Sequence, residues 1–189
     1  MLSKIPKDKR IFIIEGIAGS GKTTFKTALR AHFKDRNIYE FSEEELLLGW
    51  KHIHVPHMSV LRVQFFNTFL NYIEKKLTEE KNSIFIFERF HLSMKILEWE
   101  FESNFTDKYE AIVEKIRALP VFILIVKLEL SEIKSRMCHR DRNKQWDIFV
   151  EEKLELRGFY NLEELSIDQQ KQFFDRAKEQ GIPFAAFKS

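Results

Sequence analysis

Residues 11–24 read IFIIEGIAGSGKTT, an apolar run that passes directly into a glycine-rich turn. The turn, Gly16-Ile17-Ala18-Gly19-Ser20-Gly21-Lys22-Thr23, fits the spacing G-x-x-x-x-G-K-[ST] at every required position. Glycines allow such a loop to wrap so that backbone N–H groups converge on phosphate oxygens, and the positive end of the following helix adds to this. The stretch therefore predicts a strand, a phosphate-binding loop and a helix that begins near Lys22.

The polar side chains of this loop have expected partners on a nucleoside triphosphate. Lys22 is expected to reach the β- and γ-phosphates of ATP, and the hydroxyl of Thr23 is expected to ligate Mg²⁺. The other residues expected to contact the nucleotide are Gly16, Ala18, Gly19, Ser20, Gly21 and Thr24. The motif indicates binding of a nucleoside triphosphate, but it does not distinguish phosphoryl transfer from hydrolysis.

Short apolar runs alternate with helix-like segments along the chain. Runs rich in β-branched and aromatic residues predict buried strands at Ile11–Glu15, Ile84–Glu88 and Val121–Leu128, with weaker strands at Asn37–Phe41 and Pro183–Phe187. Buried strands that alternate with helices are typical of a parallel sheet covered on both faces. We therefore expect one α/β domain over residues 1–189, a three-layer P-loop NTPase fold with about five parallel strands.

Apolar spacing also predicts the helices. One stripe between Ser59 and Leu77 contains Val60, Val63, Phe66, Leu70 and Ile73 at three- and four-residue intervals. A shorter basic helix is predicted from Ser131 to Arg142, with Ser131 as its N-cap. Two more helices are predicted at Glu151–Leu165 and Asp168–Glu179, the last of them ended by Gly181 and Pro183.

Composition limits the class of protein. The chain has 189 residues, with 31 Lys and Arg against 29 Asp and Glu, so its formal net charge is +2 at pH 7. Because this balance gives no general nucleic-acid signature, a nucleic-acid partner is not expected. The longest apolar run, Val121 to Val126, is too short to span a bilayer, and no signal-peptide stretch follows the N-terminus. The single cysteine, Cys138, suits a reducing compartment, so we expect a cytoplasmic protein without membrane association.

An acid–arginine pair follows the apolar run 84–87, in the stretch Glu88-Arg89-Phe90-His91-Leu92-Ser93. A parallel strand delivers its carboxyl end to the sheet edge that carries the phosphate loop, where ligands bind. Glu88 is therefore expected to face Mg²⁺ or the acceptor, and Arg89 to hold an acceptor hydroxyl or phosphate with its fork of donors. A surface ion pair at a strand end is the alternative.

The phosphate loop and this strand end together resemble the thymidylate kinase and deoxyribonucleoside kinase group, in which an apolar strand ends in [DE]-R-[YFS]-x-x-S. Glu88 resembles the glutamate that nucleoside kinases have at the first position of this motif, and Phe90 resembles the aromatic residue that thymidylate kinases have at the third. The resemblance implies a P-loop kinase, an ATP-dependent phosphotransferase that uses Mg²⁺ and acts on a nucleoside or nucleotide. It also implies that Gln64 hydrogen-bonds the acceptor base, with an ordinary polar helix position as the alternative.

Arg136, Arg140 and Arg142 follow the third predicted buried strand. Arg136 and Arg140 are four residues apart and share one helix face. The group resembles the lid of this family, whose arginines fold over the triphosphate and stabilise charge on the transferred phosphoryl group. The resemblance implies a catalytic role for Arg136 and Arg140 and nucleotide contact for Arg136. A solvated basic helix is the alternative.

The chain departs from the family after the second strand. Nucleoside kinases carry a Glu-Pro pair there, whose glutamate accepts the acceptor proton, whereas this chain has Glu40-Phe41-Ser42-Glu43 without proline. Glu40 is the first candidate for the catalytic base and Glu43 the second, although a solvated acidic helix start also explains Glu43. Nearby, His52, His54 and His57 are expected to line the acceptor pocket or face solvent rather than bind a transition metal.

Three functions remain open from the sequence. The leading hypothesis is a kinase for a small nucleoside or nucleotide, with catalytic residues Lys22, Glu88, Arg89, Arg136, Arg140 and Glu40. A 5′-hydroxyl polynucleotide kinase would require an open basic groove that leads to the site. A P-loop NTPase switch would show no turnover stimulated by an acceptor. The sequence leaves a homodimer open.

Overall fold

The computed structural model of the chain describes residues 2, 5–46, 58–97, 105–138, 150–151, 154–155 and 157–188. It contains the strands β1 (Ile11–Glu15), β2 (Asn37–Phe41), β3 (Ser83–Glu88), β4 (Val121–Lys127) and β5 (Phe184–Lys188). These form one sheet in the order β2-β3-β1-β4-β5, in which every neighbouring pair is parallel. The five predicted strands are confirmed, each to within one residue at either end.

Helices connect these strands. Their bounds are α1 (Lys22–His32), α2 (Glu43–Leu46), α3 (Met58–Glu79), α4 (His91–Leu97), α5 (Phe105–Ala118), α6 (Leu130–Cys138) and α7 (Leu162–Gln180). The start of α1 at Lys22 and the long helix predicted from the apolar stripe, here α3, are confirmed. No helix in the described ranges combines the length and apolar character needed to cross a membrane.

Alternate residues of each strand contribute to two hydrophobic cores, one on each face of the sheet. Ile11, Ile13 and Phe87 belong to the larger core, which packs against α3, α5 and α7. Phe12 and Ile14 belong to the smaller core, which packs against α1. The sheet is therefore covered on both faces, which confirms the predicted three-layer α/β fold and the parallel arrangement of its strands.

The C-terminal helical region differs from the prediction. The helix predicted at Glu151–Leu165 is confirmed only in its first part: the described residues from 150 to 157 are helical, the chain then turns at Gly158, and a separate helix, α7, runs from Leu162 to Gln180. Gly158 has a left-handed φ of 68°, and Asn161 caps α7 by accepting a hydrogen bond from the N–H of Glu164 at 2.9 Å. A local turn and an N-cap thus override the helical spacing of the apolar residues.

The start of α6 also differs from the prediction. The helix begins at Leu130, so Ser131 lies inside it and is not the N-cap. The carboxylate of Glu132 instead accepts a hydrogen bond from the N–H of Glu129 at 3.3 Å, which satisfies a backbone donor at the start of the helix.

A buried polar network joins three helices close to the carboxyl end of β3. His91 Nε2 donates to Gln180 Oε1 at 2.9 Å, and Gln180 Nε2 donates to the hydroxyl of Tyr109 at 2.8 Å. His91 is fully buried, and its Nδ1 has no hydrogen-bond partner in the described part of the chain. Burial lowers the pKa of His91 to about 4, although the bond to Gln180 acts in the opposite direction. The folded protein therefore keeps this imidazole neutral.

This network predicts a loss of stability in acid. His91 has an ordinary pKa of about 6.5 in the unfolded chain and a pKa of about 4 in the folded protein. Between these two pH values the unfolded chain binds a proton at His91 that the folded protein does not bind, so acid favours unfolding. The contribution of His91 to the free energy of unfolding should thus fall by about 2 to 3 kcal/mol between pH 7 and pH 4.5. Urea unfolding at both pH values, compared with His91→Asn, measures it. The exposed-site control His32→Asn should keep the wild-type pH dependence; an equal pH dependence in His91→Asn would contradict the assignment.

Candidate active site

The phosphate loop follows β1 at the carboxyl edge of the sheet and leads into α1. Gly16, Gly19 and Gly21 have φ values of 146°, 75° and 83°. A Cβ added at Gly16 would lie 2.3 Å from the backbone oxygen of Val126, so both space and backbone conformation require glycine there. Gly21 is the N-cap of α1. The first N–H groups of the helix, which have no partner within the helix, therefore lie beside the loop. This is the geometry of an anion-binding turn.

Two polar side chains of the loop are oriented inward. Lys22 is 5% exposed, and its Nζ donates to the carbonyl oxygen of Ile17 at 3.0 Å. Burial, together with the charge of Arg89, lowers the pKa of Lys22 to about 7. Ser20 is fully buried, and its hydroxyl has no partner within the described residues. A phosphate group in the loop would supply the negative charge that favours the lysinium form.

Thr23 and Glu88 meet where α1 approaches the end of β3. Thr23 Oγ1 donates to Glu88 Oε1 at 2.6 Å, and Lys26 Nζ lies 2.8 Å from Glu88 Oε2. Burial raises the pKa of Glu88, but hydrogen bonds from Lys26 and Thr23 outweigh it and leave the pKa below its ordinary value. A hydroxyl and an ionised carboxylate are oxygen ligands of the kind that Mg²⁺ prefers, so these two residues fit the predicted metal site.

Arg89 is 3% exposed and lies at the same sheet edge. Its φ of 66° is the single left-handed value among the described residues other than glycine. Its Nε is 2.7 Å from Glu43 Oε2, an ion pair in which the N–H is not aligned with the oxygen, and its Nη1 donates to Ser93 Oγ at 3.1 Å. Glu43 is the first residue of α2, so the ion pair connects α2 to the end of β3.

Glu15, the last residue of β1, is a buried carboxylate that the sequence analysis did not single out. Its Oε1 accepts hydrogen bonds from the N–H groups of Phe90 at 3.0 Å and Ser93 at 3.3 Å, and its Oε2 accepts one from the Ser93 hydroxyl. Burial raises the pKa of Glu15, although the bond to Ser93 and the charge of Arg89 oppose this. The contacts fix the turn that holds Arg89. In the sequence, the only sign of this role is that Glu15 is a charged residue at the end of the apolar run 11–14.

Arg136 lies beside the phosphate loop. A Cβ added at Gly19 would be 3.3 Å from the carbonyl oxygen of Arg136 and 3.7 Å from its Cβ, so the last turn of α6 borders the loop. The side chain of Arg136 is exposed. Arg140 and Arg142 lie outside the described residues, and so do the three histidines at positions 52, 54 and 57.

The structure places Glu40 apart from this cluster. Glu40 lies 3.3 Å from Arg30 Nε and lines the α1 side of β2, whereas its neighbours Tyr39 and Phe41 pack into the larger core. Glu43, and not Glu40, therefore contacts Arg89. Gln64 is exposed on α3 and Thr24 is exposed on α1. Lys22, Thr23, Glu88 and Arg89 are brought together, as the sequence predicted.

Comparison with known proteins identifies the fold. The chain matches no known family model and no curated protein by sequence. Among solved structures, it is similar to the YorR protein of Bacillus subtilis, solved with phosphorylated GDP, at TM-score 0.54 and 18% identity over 94% of this chain and 85% of that one.

Two thymidylate kinases are similarly close. The enzyme of Ehrlichia chaffeensis matches at TM-score 0.54 and 17% identity, over 95% of this chain and 86% of that one. The enzyme of Candida albicans matches at TM-score 0.55 and 14% identity, over 96% and 85%. At these identities the likeness concerns the fold. The chain has a nucleotide-kinase fold; more particularly, it has the P-loop kinase fold of the thymidylate kinase group.

The buried carboxylate of Glu15 generates a stability prediction. Glu15→Ala leaves the N–H groups of Phe90 and Ser93 without their buried acceptor, and it removes one of the carboxylates near Arg89, whose ion pair with Glu43 remains. We expect the free energy of unfolding to fall by about 3 kcal/mol. Urea denaturation measures this loss. Glu74→Ala, at an exposed position of α3, is the matched control and should change stability by less than about 0.5 kcal/mol. Equal effects of the two substitutions would refute the role of Glu15.

Proposed function

We propose that the protein is an ATP-dependent phosphotransferase that acts on a nucleoside or nucleotide. One observation carries the proposal: the phosphate loop with Lys22 lies at the same sheet edge as the ion pair of the buried Arg89 and the partly exposed Glu43. The loop suits a triphosphate and the pair suits an acceptor hydroxyl. The thymidylate kinases that share the fold support this class of reaction.

The donor side of the site acts by positioning and by charge. Backbone N–H groups of residues 16–23 cradle the phosphates, and Lys22 exchanges the carbonyl of Ile17 for a phosphate oxygen. Thr23 and Glu88 would hold Mg²⁺, which would supply positive charge to offset that of the triphosphate. Arg136, whose carbonyl oxygen would lie 3.3 Å from a Cβ at Gly19, would fold its side chain over the triphosphate. Arg140 would complete this lid.

The acceptor side centres on Glu43. Its carboxylate is partly exposed, with 26% of the side chain accessible, and it contacts Arg89 at 2.7 Å. With a nucleoside acceptor, Glu43 accepts the proton of the acceptor hydroxyl while Arg89 orients that hydroxyl; with a nucleotide acceptor, the attacking oxygen belongs to the acceptor phosphate, which Arg89 holds. The acceptor oxygen then bonds to the γ-phosphorus as the bond from that phosphorus to the bridging oxygen breaks, and ADP leaves with the electron pair. Glu43 thus takes the role first assigned to Glu40, whose carboxylate is paired with Arg30.

A 5′-hydroxyl polynucleotide kinase is the second candidate, and one observation favours it. An open cleft of about 890 Å³ lies between α1 and β2, and its lining includes Arg30, Lys34 and Arg36. Glu40 lies in this lining, toward the carboxyl end of β2. A basic cleft of this kind suits the phosphates of a nucleic-acid strand.

For either acceptor we propose a cytoplasmic location, since Cys138 is the sole cysteine of the chain.

The first test is a screen for ADP release from Mg-ATP. Deoxynucleosides, their monophosphates and a 5′-hydroxyl oligonucleotide are the acceptors. We expect one of the small acceptors to stimulate release. Lys22→Met should lower the stimulated rate by about 100-fold or more, because it removes the positive charge that would contact the phosphate oxygens. Lys75→Met, at a lysine with 76% of its side chain exposed, is the control and should retain the rate. Stimulation by the oligonucleotide alone would support the second candidate, and no stimulation at all would leave an NTPase switch.

The two glutamates can be compared directly. With a hydroxyl acceptor, Glu43→Gln keeps the shape of the side chain but removes the proton acceptor beside Arg89, so kcat should fall by about 100-fold or more with little change in the KM for ATP. Glu40→Gln should leave kcat within about threefold, because its carboxylate is paired with Arg30 on the other side of β2. Steady-state kinetics with the acceptor found in the screen measures both. A larger loss in Glu40→Gln would restore Glu40 as the base.

A further inference from the structure

Lys26 is a basic residue of α1 that the proposed reaction does not use. It follows Lys22 by four residues and Thr23 by three, so these side chains share one face of the helix. The ammonium lies 2.8 Å from Glu88 Oε2, and 15% of the Lys26 side chain is exposed. Since Thr23 donates to Oε1 at 2.6 Å, each carboxylate oxygen of Glu88 has its own partner within the protein.

The charges around Glu88 are balanced by Lys26. Within the described residues, the cations of this cluster are Lys22, Lys26 and Arg89, and the carboxylates are Glu15, Glu43 and Glu88. Lys22 is bonded to a loop carbonyl and Arg89 is paired with Glu43, so neither of them directly neutralises Glu88. Removal of Lys26 would leave an excess negative charge on the two oxygens of Glu88.

We propose that Lys26 is a positioning residue that fixes Glu88 against Thr23 and prevents a divalent cation from binding there without nucleotide. A cation that approaches Thr23 and Glu88 alone meets a carboxylate whose charge is already shared with an ammonium. The phosphate oxygens of a triphosphate supply the additional negative charge, so metal and nucleotide bind together. The inference rests on the proposed function, because it takes Thr23 and Glu88 as the protein ligands of the metal.

A merely structural ion pair would behave differently. If Lys26 only stabilised the fold, its removal would lower the free energy of unfolding and leave the affinity for a free cation unchanged or weaker. If Lys26 controls metal entry, its removal strengthens the binding of a free cation through Glu88. The affinity for metal in the absence of nucleotide therefore separates the two roles.

The experiment titrates the nucleotide-free protein with Mn²⁺ and measures free Mn²⁺ by its electron paramagnetic resonance signal. Lys26→Met should bind Mn²⁺ at least about tenfold more tightly than the wild type, because one positive charge next to the ligand is removed. Lys26→Arg keeps the charge and should behave as the wild type. The double variant Lys26→Met with Glu88→Gln should lose the gain. Lys75→Met, at an exposed lysine of α3, is the control and should match the wild type.

The proposal is overturned if Lys26→Met binds Mn²⁺ no more tightly than the wild type, or if the gain persists when Glu88 is replaced. Circular dichroism establishes that each variant is folded, and Lys26→Gln replaces Lys26→Met if the latter does not fold. Calorimetric binding of Mg-ATP to the wild type is measured alongside. Failure of that binding would count against the proposed function, whereas the Mn²⁺ titration without nucleotide decides the role of Lys26.

Discussion

The hydrogen bonds of one buried carboxylate hold the two halves of the site together. Glu15 ends the strand that leads into the phosphate loop, and it accepts hydrogen bonds from Phe90 and Ser93 in the turn that follows β3. A buried carboxylate destabilises a fold unless such donors surround it, so this turn has little freedom to move. Because β1 and β3 are neighbouring strands, the same contacts fix Arg89 at a constant position relative to the loop.

Around Glu15, the polar groups of the site contact one another through the same atoms that would bind the substrates. Lys22 contacts a loop carbonyl, Thr23 contacts Glu88, and Arg89 contacts Glu43. Binding of a triphosphate and an acceptor would exchange these contacts for others of similar geometry, with small movements of side chains. Preorganisation of this kind is the main way in which a protein accelerates phosphoryl transfer, since the reaction needs little covalent participation from side chains.

Much of this architecture could be predicted from local sequence. The strands have β-branched and aromatic runs, and the loop has glycines at positions where the backbone is left-handed, so both follow from nearby residues. The break before α7 was missed because helical spacing continues through residues 151–165, while Gly158 and the cap at Asn161 determine where the chain turns. In these places short-range conformational preferences outweigh hydrophobic periodicity.

The details of the site depended on contacts between distant parts of the chain. Glu15 is separated from Phe90 by 75 residues, so nothing near it in the sequence shows which donors it meets. Glu40 was preferred to Glu43 as the base because it was expected to end the second strand. The alternation of side chains along β2 places Glu40 beside Arg30, whereas the turn into α2 brings Glu43 to Arg89. Proximity in sequence did not determine proximity in space.

A crystal structure with Mg²⁺ and a non-hydrolysable ATP analogue tests the central claim most directly. Our account predicts the triphosphate within the backbone amides of residues 16–23, Lys22 moved from the carbonyl of Ile17 to a phosphate oxygen, and the γ-phosphate directed toward Arg89 and Glu43. A triphosphate bound elsewhere, or a γ-phosphate directed away from that pair, would contradict it.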